Sequence, residues 1–273
     1  MISKKEITLS QTRCKYFRKK IFEISQKVTA LHLGGAFSSM ELIDYIYHFH
    51  IPIKKKYDSN IFIMSKGHSC IAQYVILNKR GIISTKELNK YCKSGGILGC
   101  HPDYGNPGIE ASTGSLGHGL ALAVGICHAN KLMKNKSKTF LIMSDGELQE
   151  GSTWEALMMA ANLKLDNLIC FLDHNGSQSY GVTRETHPKF YPIANKIKSF
   201  NWECVSVNGH SIKDIDRGFR SRKTRKPFFI IGNTVKGKGV SYMENKPIWH
   251  YRSPNKEEYV LGLQEINRGF NEG

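Results

Sequence analysis

A chain of 273 residues, 40% of them hydrophobic, is long enough to bury the core of one large domain or two small ones. No stretch approaches the roughly eighteen apolar residues of a membrane span, Met1-Ile2-Ser3-Lys4-Lys5-Glu6 has no apolar signal core behind it, and seven cysteines without a Cys-x-x-Cys spacing read as reduced thiols in a cytoplasmic compartment. The net charge of +16 and the basic run Arg217, Arg220, Arg222, Lys223, Arg225, Lys226 admit a nucleic-acid binder, but no aromatic interleaving, zinc spacing or RNA-binding signature accompanies them, so the charge reads as a solvated surface that favours anionic substrates.

The predicted elements alternate between helix and strand, with no internal repeat and no low-complexity linker. Leu9 to Thr29 carries the period of a long amphipathic helix, and His32-Leu33-Gly34-Gly35 then reads as a glycine-bearing turn. Ser38-Ser39 is read as the cap of a second helix, Met40 to His48, with Glu41 in its first turn. Asn60 to Met64 is a short strand leading into Ser65-Lys66-Gly67-His68, and helices follow over Ser69–Lys79 and Thr85–Cys92. A loop rich in Gly and Pro precedes a helix over Leu116–Lys131. Thr139 to Met143 is an apolar strand closed by Ser144-Asp145-Gly146-Glu147. Glu150 to Leu165 is a helix with Trp154, Leu157, Met158, Ala161 and Leu165 on one stripe, and Asn167 to Leu172 is a strand delivering Asp173-His174-Asn175-Gly176. Glu203–Val207 and Phe228–Asn233 are two more strands joined by a helix over Ile212–Arg220, and from Val235 the chain reads as loop and then polar. One α/β domain over residues 1–273, a doubly wound, mostly parallel sheet with helices on both faces, accounts for this order.

The βαβ unit from Thr139 to Leu172 makes its strands parallel neighbours, so Asp145-Gly146 and Asn175-Gly176 leave from one edge. Open α/β sheets bind ligands at that edge. A hard cation such as Mg²⁺ takes a carboxylate, neutral oxygens and phosphates. Asp145, the Asn175 amide oxygen and the Ser177 carbonyl would supply three ligands, leaving places for two diphosphate oxygens and a water. Each dipeptide alone is also an ordinary turn former.

Asp-Gly followed by Asn-Gly, with Asn175 thirty residues beyond Asp145, resembles the thiamine diphosphate fingerprint. Ser144-Asp145-Gly146-Glu147-Leu148-Gln149-Glu150-Gly151 is similar to its transketolase version. The resemblance runs from about Ile7 to about Tyr259 and covers only the diphosphate-binding domain of that family. It implies the N-terminal subunit of a split transketolase, using thiamine diphosphate with Mg²⁺ or another divalent cation such as Ca²⁺. It further implies a separate partner chain carrying the pyrimidine-binding domain, a self-associating α2β2 assembly, and phosphorylated or nucleotide-linked sugar substrates, with neither nucleic acid nor membrane as a partner.

The same resemblance assigns the site. His32, His68, His101 and His250 each stand at a loop start in a family motif whose histidine lines the channel to the thiazolium carbon. Neutral imidazole and imidazolium would both serve there near pH 7, as proton carriers and hydrogen-bonders. Cofactor contacts fall to His68, Gly114, Leu116, Asp145, Gly146, Glu150 and Asn175, with Leu116 as a platform for the aminopyrimidine ring; the metal falls to Asp145, Asn175 and Ser177. Glu150 and Glu155 match interface glutamates, and Lys236-Gly237-Lys238-Gly239 a loop at the cofactor's periphery. His48, His50, His118, His128, His174, His187 and His210 carry no such support.

Four positions depart from the family pattern: Ser144 for a glycine, Leu31 for a glycine before the first histidine, His118 for a glutamine and His174 for an asparagine. Leu31 is expected to narrow the channel or reshape its loop. The departures point away from standard pentose phosphates. Three readings follow: ketol transfer between ketose and aldose phosphates, acetyl or ketol transfer to a specialised sugar in glycan or antibiotic biosynthesis, and a non-catalytic binding protein on the same fold.

Overall fold

Strands covered on both faces need apolar side chains in both directions, and this chain has several such runs. In the computed structural model, which describes residues 2–28, 31–54, 56–179 and 181–269, they become β1 (Ile61–Met64), β2 (Thr139–Ser144), β3 (Leu168–His174), β4 (Glu203–Asn208) and β5 (Phe228–Asn233). All pair in parallel in the order β1-β2-β3-β5-β4. Successive residues alternate between two cores. Phe62, Phe140, Phe171 and Phe228 face one, and Ile63, Leu141, Leu172 and Phe229 face the other. The first core is closed by α1 (Lys4–Ser25), α2 (Leu33–Ser38), α3 (Met40–Phe49), α4 (Cys70–Lys79) and, later in the chain, the helix over Ile212–Arg220. The second is closed by α5 (Gly119–Leu132), α6 (Gly151–Asn162) and α7 (Ile193–Ser199). The sheet is doubly wound, as the alternation predicts.

Several elements differ from the sequence reading. Helix α1 begins at Lys4 because Ser3 and Glu6 form a reciprocal capping box, and it ends at Ser25; Thr29, its predicted end, lies outside the described residues. The expected turn at His32–Gly35 is the start of α2, with both glycines inside the helix. They are there for close packing: a Cβ on Gly35 would lie 2.7 Å from Ser69 Oγ. Ser39 makes no cap bond to α3; its hydroxyl donates to the Gly35 carbonyl at 2.8 Å, and Ser38 donates to Asp173 at 2.6 Å. Helix α5 starts at Gly119 rather than Leu116, since Gly117 stands at φ +85°, against the helical path. The buried stripe of α6 is Thr153, Ala156, Leu157 and Ala160, while Met158 is 49% exposed. The stretch beyond Val235 ends in a helix the sequence reading lacks, α9 (Lys256–Arg268), capped by Asn255 and Glu258 and stacked on α1 through Tyr259 and Phe22; α8 is the Ile212–Arg220 helix.

Candidate active site

Parallel strands send all their carboxyl ends to one edge, and here four neighbours deliver chemistry to it. Lys66 and His68 follow β1, Asp145 and Gly146 follow β2, Asn175 and Ser177 follow β3, and Thr234 to Lys236 follow β5. They surround a cavity of about 700 Å³. His32, His68, His101, His250, Gly114, Leu116, Gly146, Glu150, Asn175 and Ser177 all line it. Asp145 lies just beneath, 2% exposed, and its Oδ2 accepts the Gly176 N–H at 2.7 Å.

The floor is an ion pair that sequence reasoning missed. Lys66 and Asp173 are both fully buried and paired, and Lys66 Nζ also donates to the Gly35 carbonyl at 2.9 Å. Asp173 accepts from Ser38, Thr234 and the Asn175 amide. Burial alone would raise its carboxyl; Lys66 and the two hydroxyls outweigh burial and hold it below the usual range. Removing one partner of such a pair strands the other charge without water. Asp173→Ala is therefore expected to destabilise the chain by about 3–5 kcal/mol, read by urea denaturation. Unchanged stability would show that Lys66 has another counter-charge.

Two further carboxylates stand apart from that pair. Asp145 Oδ1 is buried with no hydrogen-bond partner among the described residues, and burial, then Asp173, push its carboxyl up to about 7. Glu147, which the sequence reading left unassigned, accepts from the Ser65 hydroxyl and, at 3.1 Å, from the Gly117 N–H; burial pushes it to about 7 as well. Glu147 thereby ties the loop after β1 to the loop of Leu116. Asn175 Oδ1 accepts the Ser177 N–H at 3.0 Å and keeps a second lone pair. Among the described residues no group of three or more His, Cys, Asp and Glu could hold a metal. A cation here would rest on one carboxylate, neutral oxygens and the ligand's own phosphates, and the unpaired Asp145 oxygen fits a hard divalent ion.

The wall is a cluster of imidazoles. The ring of His32 lies 5.1 Å from that of His68 and 5.2 Å from that of His250, and His68 lies 5.8 Å from His250. His101 covers Gly114, where a Cβ would meet its Cδ2 at 3.1 Å. Lys236 Nζ reaches His250 Nδ1 at 2.9 Å. Burial, then nearby positive groups, lowers His32 to about 4 and His250 to about 3; burial and Lys66 take His68 well below its ordinary value. Shifts in this direction favour the neutral form of these three rings near pH 7. The positive charge belongs to Lys66 and to Lys236, the latter lowered by burial to about 8. Lys236 lines the cavity.

The remaining residues sort plainly. Glu150 is exposed at the lip, just before α6 and with no side-chain bond to it, and Glu155 is exposed on that helix. Ser144 lines the cavity, but Leu31, His118 and His174 do not. Leu31 is 2% exposed in the first core, so it does not narrow the channel.

Over residues 10–271 the chain matches the family model described as transketolase, thiamine diphosphate binding domain. It is 40% identical over 257 residues to an apulose-4-phosphate transketolase subunit of Phocaeicola vulgatus, covering 92% of this chain and 91% of that protein. It is 32% identical over 274 residues to the 6-deoxy-6-sulfo-D-fructose transketolase subunit SqwG of a Clostridium species, covering 98% and 99%. The crystal structure of transketolase from Campylobacter jejuni superposes with a TM-score of 0.87 at 25% identity, over 98% of this chain and 43% of that one. The chain belongs to the transketolase family, in its thiamine diphosphate-binding domain.

Proposed function

We propose that residues 1–273 form the diphosphate-binding subunit of a split transketolase that moves a two-carbon ketol unit from a ketose phosphate to an aldose. The observation that carries this reading is the buried, unpaired Asp145 oxygen beneath a cavity walled by four imidazoles and two ammonium groups. Asp145, Asn175 and Ser177 would hold Mg²⁺ or Ca²⁺, with Gly146 and Gly114 admitting the diphosphate and Leu116 supporting the aminopyrimidine. When bound, thiamine diphosphate supplies the carbon nucleophile and electron sink that ketose cleavage requires. Lys236 and Lys66 meet anionic charge, and the neutral imidazoles of His32, His68 and His250 hydrogen-bond substrate hydroxyls.

The relatives that match over nearly their full length are named for apulose-4-phosphate and a sulfofructose. Their names support a specialised anionic sugar here. The word subunit in both names supports a separate partner chain, which would bear the pyrimidine-binding domain. An α2β2 assembly would cover the outer faces of α5 and α6, where Leu122, Met158 and Met159 are 43%, 49% and 46% exposed, with Glu150 and Glu155 beside them. Seven free cysteines support a cytoplasmic site. Among the described residues no helix is long and apolar enough to cross a membrane.

Reconstitution with the partner chain, followed by assay of ketose phosphates against aldose acceptors, tests the reading directly; no ketol transfer from any donor would sink it. Within that system His101→Ala is expected to lower turnover about 10- to 1000-fold, the range of a proton-transfer or charge-stabilising group. Cofactor affinity should move little. Full turnover in this variant would leave His101 a structural residue covering Gly114.

A further inference from the structure

His210 carries no role in the cavity by sequence, yet it connects the core to the cavity wall. Arg18 is fully buried on α1 and pairs through its guanidinium with Glu41 of α3, with Nη2 2.7 Å from Oε2. Glu41 Oε2 lies 2.9 Å from His210 Nδ1. On the other side of the ring, His210 Nε2 lies 2.8 Å from the Val235 backbone nitrogen. A backbone N–H only donates, so Nε2 must be the bare nitrogen and Nδ1 must carry the proton it gives to Glu41. The tautomer is thereby determined from both sides. The next residue along from Val235 is Lys236, whose ammonium meets His250.

Other bonds hold this segment as well: Thr234 to Asp173, Thr234 N–H to the His174 carbonyl at 3.0 Å and Gly237 N–H to the Gly34 carbonyl at 3.0 Å tie it to β3 and α2 beside the cavity, and the Asn245 N–H donates to the Lys236 carbonyl at 2.9 Å from the turn that follows. His210 ties the segment to a second buried ion pair, separate from Lys66 and Asp173, and sits in a turn packed so closely that a Cβ on Gly209 would lie 2.5 Å from Thr234 Cγ2. Apolar residues of equal volume in place of a buried Arg–Glu pair are often as stable or more so. What they could not provide is a directed acceptor for Val235.

We propose that His210 is a positioning residue: by accepting the Val235 N–H it sets the backbone from which Lys236 reaches His250, and the Arg18–Glu41 pair fixes the tautomer that makes this possible. What Lys236 then contacts rests on the thiamine diphosphate reading; the geometry does not.

The test follows the Lys236 ammonium by NMR in the full chain carrying isotope-labelled lysine, with thiamine diphosphate affinity in Mg²⁺ and the partner chain as a second readout. In His210→Leu, which lacks the acceptor, Lys236 is expected to titrate clearly higher, toward the ordinary lysine value, as it swings to water. Affinity should fall at least tenfold. His210→Gln can place its amide oxygen near Val235 and is expected to restore both. An unmoved Lys236 titration in His210→Leu, or a glutamine that restores nothing, would overturn the proposal. Should the leucine variant not fold, replacing the Val235 amide by an ester removes that N–H alone and must raise the Lys236 titration in the same way; an unmoved titration there also overturns it. A wild type that binds no thiamine diphosphate would sink the cofactor reading, while the Lys236 titration would still decide the role of His210.

Discussion

Asp145→Asn is expected to abolish Mg²⁺-dependent thiamine diphosphate binding and, at the same time, to make the ligand-free chain more stable above pH 7. Both effects come from the same oxygen. Asp145 Oδ1 is buried without a partner among the described residues, and the carboxyl holds its proton to about pH 7 instead of the ordinary 3.8. Between those values the folded chain binds more protons than the unfolded one, so this group's contribution to stability falls as pH rises through the window. Above pH 7 the full cost is present, on the order of 4 kcal/mol for a rise of that size. Asparagine has no charge to desolvate, and its amide oxygen still accepts the Gly176 N–H that Asp145 accepts at 2.7 Å. It also offers a cation only a neutral oxygen. Urea denaturation at pH 5 and pH 8 should show a gain clearly larger at the higher pH, and calorimetry with Mg²⁺ and thiamine diphosphate should show no binding. In the wild type the same titration should release protons near pH 7, as the cation takes the place of the proton on Asp145. Retained affinity, or a less stable variant at pH 8, would remove Asp145 from the metal site. Asn175→Ala should weaken binding strongly as well, because it deletes a neutral ligand and the Asn175 contact to Asp173.

What was legible in the chain followed from local pattern. The strands were found because Thr139 to Met143 and Leu168 to Leu172 are apolar in both directions, and parallel order then placed Asp145 and Asn175 at one edge. The loop histidines were found through a family resemblance attached to short motifs. What failed was anything whose cause lies far along the chain. Lys66 and Asp173 are 107 residues apart, and only the fold makes them a pair. Glu41 reads as an ordinary first-turn acid until Arg18 and His210 meet it. The glycines of α2 look like a turn because their reason is contact with Ser69 and Lys236, not backbone freedom. The predicted stripe of α6 was rotated because Met158 is apolar yet faces outward. Helix α9 was missed for a related reason: its Val260 and Leu261 are 54% and 55% exposed, so its apolar residues do not mark a single buried face. The protonation of the histidine wall could not be read from residue type at all, since burial and then the neighbouring positive groups set it.

Without its partner this chain is expected to bind thiamine diphosphate weakly and leave it unactivated. Activation in the family requires a glutamate that hydrogen-bonds the aminopyrimidine ring, and among the described residues the wall and floor of the cavity offer no carboxylate for that duty. Glu150 is the one acidic residue on its described lining, and it stands exposed at the lip, its carboxylate making no cap bond to α6. Asp173 is committed to Lys66, and Glu147 to Ser65 and the Gly117 N–H. Asp145 would hold the cation in the proposed reading, and a carboxylate that holds a metal is not free to hold a ring nitrogen. The missing group must therefore arrive from outside this wall, most simply on a partner chain that closes over the cavity in a twofold assembly. Proton NMR in heavy water reads this directly, through exchange of the thiazolium C2 proton. With this chain, Mg²⁺ and thiamine diphosphate alone, exchange should run at the rate of free cofactor. Adding the partner should accelerate it by orders of magnitude, and changing the partner's activating glutamate to alanine should remove that acceleration while Asp145-dependent binding persists. Fast exchange from this chain by itself would mean that a carboxylate already present here reaches the aminopyrimidine, with Glu150 the first to examine, and the two-chain division of the site would be wrong.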